Sequence, residues 1–157
     1  MENIGQKAYF LRNEYVGKLQ MLRPETQRRW GKMNAQQMVE HMAEYIALAS
    51  GMIKTDKIVT PEENLEGYRR FLSSEKEFKE NTPNVLMPEE PAPVKHATLE
   101  EAIAALKQEV EYLFKAFEDN FDKKTLNAIF GELDYEMTIQ LLYKHAWHHL
   151  KQFGIME

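Results

Sequence analysis

Cysteine is absent from this chain. That excludes disulfides, thiolate metal ligands and a cysteine nucleophile together. Any bound metal must be held by histidine, aspartate or glutamate. No uninterrupted apolar run approaches the length needed to span a bilayer. The opening residues, MENIGQKAYFLRNEY, carry charges before an apolar stretch can form, so they do not read as a signal peptide. A soluble, cytoplasmic protein is the expectation. Basic residues are in the minority: 20 Lys and Arg stand against 25 Asp and Glu, for a formal net charge of −5. This argues against a general attraction to nucleic acid or to an anionic membrane. The one basic cluster, Arg23, Arg28, Arg29 and Lys32, reads as a solvated connector. Internal repeats and a convincing β alternation are also missing.

What remains is a helical pattern. At 157 residues with 43% hydrophobic and 11% aromatic content, the chain fits one folded domain over residues 1–157. Four long helices are predicted. The first runs from about Gln6 to Met21, with Ala8, Leu11, Tyr15, Leu19 and Leu22 on one stripe. The second starts at Asn34, where Gln37 completes a capping-box pattern, and stops at Gly51. Met38, His41, Met42, Tyr45 and Leu48 recur along it at helical spacing. The third starts at Thr98, with Glu101 three residues on, and carries Ile103, Leu106, Val110, Leu113, Phe114 and Phe117. The fourth starts at Asp134 and runs past Leu141, Leu142, His145 and His149 to Gly154. Helices two and three are joined by a long connection, roughly residues 53–97. Within it, Thr60-Pro61-Glu62-Glu63 marks a short helix with proline at the first helical position. Pro83, Pro88, Pro91 and Pro93 then point to an extended strap.

The chemistry concentrates in the run YKHAWHHLKQFG. Three of the chain's five histidines, His145, His148 and His149, fall within it. His145 and His149 are four residues apart, so they share a helix face. Thr138, Leu141, His145, His149 and Gln152 form one ridge that should face inward. Buried imidazoles need partners, because an unsatisfied buried polar group costs about 1–3 kcal/mol. A shared metal ion would satisfy both rings at once. His148 is the alternative to His149, since an i,i+3 spacing also brings side chains together; otherwise it sits at the rim. His41, the lone polar residue in an apolar stripe, is the natural third ligand. Glu40 and Glu44 are alternatives that solvation explains as well, and His96 belongs to the strap. Three neutral imidazoles around a divalent ion, zinc or nickel, leave an open position, as catalytic sites do. Tyr45, Tyr143 and Glu44 are the candidates for a general base. Trp30 should pack beneath the start of helix two, and Trp147 could line the mouth of the site.

Two blocks carry a family resemblance: WGKMNAQQMVEHM, from Trp30 to Met42, and FGELDYEMTIQLLYKHAWHHLKQFG, from Phe130 to Gly154. In these blocks the chain resembles the DinB-like (DinB/YfiT-like) metalloenzyme superfamily. The linking segment EKEFKENTPNVLMPEEPAPVKH resembles a small subfamily of unassigned function. The resemblance implies an all-α fold, a four-helix bundle with a long crossover between helices 2 and 3. It places the metal ligands on His41, His145 and His149, followed by Gln152. It implies a metal-dependent enzyme that activates a small thiol or water toward a small-molecule substrate. Characterised relatives include thiol S-transferases that use low-molecular-weight thiols, many relatives have no known substrate, and homodimers are frequent. The extra His148 and the Asn127-Ala128-Ile129 sequence, where a proline is expected, depart from the family pattern. The competing reading is a non-catalytic helical bundle that uses its metal, or only packed histidines, for stability or partner binding.

Overall fold

Side-chain caps set the starts of the three longest helices. The structure is a computed structural model that describes residues 1–80 and 90–157. Helix α3 (Ala35–Ser50) begins at Asn34, whose side chain accepts from the Gln37 N–H while the Gln37 side chain accepts from the Asn34 N–H. Both halves of the predicted capping box therefore form. Gly51 closes the helix in the left-handed region, at φ 83°. Helix α5 (Leu99–Asp119) begins at Thr98, which accepts from Glu101 N–H at 3.1 Å. The Glu101 carboxylate reaches back one residue further than a capping box requires, to the Ala97 N–H. Helix α6 (Tyr135–Gln152) is capped by Asp134, which accepts from Met137 N–H.

The first predicted helix forms in three consecutive pieces. These are α1 (Ile4–Tyr9), a π-helical turn (Phe10–Glu14) and α2 (Tyr15–Leu19). The π turn inserts extra backbone between faces, so both Phe10 and Leu11 are buried. Phe10 meets the rings of Tyr143 and Trp147 on α6. Helix α4 (Glu62–Ser73) forms where Pro61 signals it, with a one-residue shift. Pro61 itself is the N-cap, and the Thr60 hydroxyl donates to the Ile129 carbonyl instead of capping.

The expectation of no β structure is overturned. Thr125–Asn127 (β1) and Gly131–Leu133 (β2) pair antiparallel, with Thr125 opposite Leu133 and Asn127 opposite Gly131. The Asn127 side chain accepts from the N–H groups of Ile129 and Phe130, which folds the tip. Arg69 of α4 donates to the carbonyls of Phe130 and Glu132, and Val59 N–H to that of Ala128. Strands of three residues are too short to show alternation, and partners far away in sequence hold them.

The main core gathers residues from the π turn, α2, α3, α5 and α6, among them Leu11, Tyr15, Met38, Met42, Leu106, Leu113 and Leu150. Helix α3 packs most extensively against α5, so the helices on either side of the long connection are neighbours. A second cluster joins Leu72, Phe130, Leu133 and Leu141. The strap is fastened to α3. Gln36 donates to the His96 carbonyl, Gln37 to that of Ala92, and Glu40 accepts from the N–H groups of Lys95 and His96. Pro91 and Pro93 lie in this stretch; Pro83 and Pro88 lie outside the described residues. Among the described residues, no helix is long and apolar enough to cross a membrane.

Removing the Asn34 cap should destabilise the helix that carries His41. Asn34→Ala is expected to cost about 1 kcal/mol in a denaturant titration, with the slope unchanged.

Candidate metal centre

His41 sits between the fully buried Met38 and Met42 on α3, and helical spacing turns its ring toward α6. His145 and His149 rise one turn apart on α6, above Leu141 and Leu142. The three rings meet. The Nε2 of His145 lies 3.2 Å from that of His41 and 2.9 Å from that of His149. One ligand atom from each ring lies within 4.8 Å of the others, a group that could hold a metal ion. A tetrahedral zinc bound at about 2.0–2.1 Å separates its nitrogen ligands by about 3.3 Å, close to the 3.2 and 2.9 Å that part His145 from His41 and from His149.

A chain of hydrogen bonds fixes which nitrogen of His149 faces this point. The Trp30 carbonyl can only accept, and the Gln152 Nε2 donates to it at 3.0 Å. This orients the amide, so Gln152 Oε1 faces His149 Nδ1 at 2.7 Å. Nδ1 must carry the proton and donate. The neutral ring then presents a bare lone pair at Nε2. The turn presses closely on the amide: Gly31, at φ +81°, would place a Cβ only 2.7 Å from Gln152 Nε2. Any larger residue there would displace Gln152.

Hydrogen bonding among the rings alone cannot satisfy this arrangement. The His145 Nε2 can donate one proton, yet two other Nε2 atoms point at it. The His145 Nδ1 is buried with no hydrogen-bond partner among the described residues. A cation accepting three Nε2 lone pairs removes the conflict at Nε2 and leaves the proton of His145 on Nδ1, so the donor set fits a metal.

Burial keeps the rings neutral. It pushes His41 down to about 4, with the neighbouring His148 adding to the effect. It pushes His149 down to about 3, with His41 contributing. His145 lies well below the ordinary histidine value, first from burial and then from His149, His41 and His148. Neutral imidazole is the form that binds metal.

His148 does not join the group. Its ring meets Trp30 and Phe78 and touches His149 edge-on, with centroids 5.0 Å apart. Of the two, His149 is the one whose ring lies with His41 and His145. Trp30 packs on His148 near the end of α6. Glu40 is committed to the strap, where hydrogen bonds from Gln36, His96 and Lys95 overcome its burial and lower its pKa. Glu44 is exposed and His96 is a half-buried strap residue. Of two aromatic neighbours of the site, sequence reasoning had Tyr45 as a general-base candidate and missed Phe78. Tyr45 packs at right angles to His145 with centroids 4.3 Å apart, and Phe78 lies 6.0 Å from the same ring. Tyr45 was visible as part of the α3 stripe; Phe78 had no periodic signal. No family model, curated protein or solved structure matches the chain.

Two measurements test this geometry. Gln152→Leu should weaken zinc affinity by about 10–100-fold in a chelator competition, with the helical circular dichroism retained. Metal-free protein should also lose stability in acid. Unfolded histidines protonate near 6.5, while the folded rings do so only near 4 and 3. The unfolded chain therefore takes up protons that the folded chain refuses, and stability falls as pH drops below about 6.5. Thermal unfolding between pH 7 and 4 should show this, and His41→Phe should flatten the slope.

Proposed function

We propose that this chain is a metal-dependent enzyme of the DinB-like superfamily, folded as a four-helix bundle with a long crossover. The two sequence blocks that carry the resemblance contribute all three histidines, and the four long helical stretches pack around one core. The observation that carries the functional reading is the convergence of three Nε2 atoms from two helices on one point.

The chain's own residues set up the chemistry. His41, His145 and His149 offer neutral donors and add no negative charge. Gln152 holds the His149 lone pair in place. Burial pushes Tyr45 up to about 12, so it stays a hydroxyl at neutral pH and walls the site beside His145. Phe78 adds an apolar surface against the same ring. A divalent ion bound there, zinc or nickel, would retain its full positive charge and an open position, and would acidify a small thiol or a water for attack on a small-molecule substrate. A low-molecular-weight thiol is the favoured co-substrate, and a homodimer the favoured assembly, on the resemblance alone.

One observation favours a non-catalytic alternative. Tyr45 is too weak an acid to serve as a base at neutral pH, Glu44 is exposed, and Tyr143 lies along a separate cavity. In that reading the metal contributes stability only, as it does in structural sites.

Tag-free protein loaded in turn with zinc and nickel, then desalted, should retain about one ion per chain by elemental analysis, and His145→Ala should retain none. Wild type that holds neither metal removes the proposal. Chelator treatment that lowers the melting temperature sharply, with no turnover on thiol or hydrolytic substrates, would select the non-catalytic alternative.

A further inference from the structure

A cavity of about 300 Å³ lies beside the histidine group, with His148 in its wall. Trp30, Phe78 and Trp147 provide its aromatic surface. Two buried lysines, Lys7 and Lys144, each 8% exposed, also line it.

The two ammonium groups differ. Lys7 is compensated, with Glu75 Oε1 at 2.5 Å and Gln140 Oε1 at 2.7 Å. Lys144 donates to the Lys76 carbonyl and lies 4.7 Å from the centre of the Phe71 ring. No carboxylate pairs with it among the described residues. The acids around the cavity are exposed, and two are already engaged: Glu75 with Lys7, and Glu77 with Lys151 at 2.7 Å. Lys144 thus has no ion-pair partner of its own among the described residues, and Glu75 and Glu77 act on it only at longer range, from the exposed rim.

A buried cation held only by neutral acceptors is costly, and an anion is its natural complement. Apolar walls around one fixed charge are the ordinary make-up of a small-molecule site. We propose that this cavity binds a small organic acid. Its carboxylate meets Lys144 Nζ, and its apolar body lies against Trp30, Phe78 and Trp147. The cavity and the metal centre are independent observations. Only one extension rests on the metal reading: the acid is the substrate or co-substrate of that centre, placed beside it by His148.

Both tryptophans of the chain line the cavity, so their emission reports its occupancy. The full chain, chelator-treated or zinc-loaded, would be titrated with phenylacetate, hexanoate and the neutral isostere phenylacetamide. The acids should change the emission saturably, and the amide should bind at least about tenfold more weakly. Lys144→Gln should weaken acid binding by about tenfold and leave the amide unchanged, whereas Lys144→Arg should keep the preference for acid. If Lys144→Gln fails to fold, the acid-to-amide ratio of wild type decides alone. Absence of a saturable signal with both acids, equal affinity for acid and amide, or unchanged acid binding by a folded Lys144→Gln overturns the inference. Acid binding by chelated protein that also fails to retain metal would sink the metal reading and leave this one standing. Metal retention without acid binding would do the reverse.

Discussion

The contact between α3 and α6 at His145 governs the chemistry of this protein. There one imidazole is flanked by two others, and none of the three rings can take up a proton cheaply. Removal from water disfavours each imidazolium, and each charge would disfavour the next. The packing therefore imposes neutrality and lone-pair exposure on the group. This is a fixed cost in the folded state, and it is the condition that divalent-metal binding requires.

The surroundings serve that constraint in two ways. From the C-terminal end of α6, the turn at Trp30 and Gly31 grips Gln152, and Gln152 sets the proton on His149. From the other side, the strap is pinned to α3 through Gln36, Gln37 and Glu40. Glu40 is therefore a fastening for backbone N–H groups rather than a ligand. Charge is also sorted by depth: cationic lysines are buried near the site, and carboxylates stay at the exposed rim.

Most helix boundaries were readable because they depend on neighbours within four residues. Asn34, Thr98 and Asp134 cap through bonds to the third residue beyond, and Gly51 ends α3 by its own backbone freedom. The hairpin at residues 125–133 was not readable. Its stability comes from Arg69, Thr60 and Val59, which are distant in sequence. The π turn escaped detection for a similar reason: Phe10 is drawn to rings on α6. At the site, the pair on α6 was implied by spacing, and His41 by its isolation among apolar residues. Phe78 lies in an irregular segment, where no periodicity could place it.

The sequence by itself determined which side chains could serve as metal donors, the helix faces that present them and the absence of sulfur donors, because these follow from composition and from 3.6 residues per turn. Only the tertiary structure decided that His149 rather than His148 turns inward, that His41 reaches the same point, and that Lys144 is buried without a carboxylate of the described residues in direct contact. Those outcomes depend on how helices cross and on which groups are taken out of water. Both are set by contacts between residues far apart in the chain.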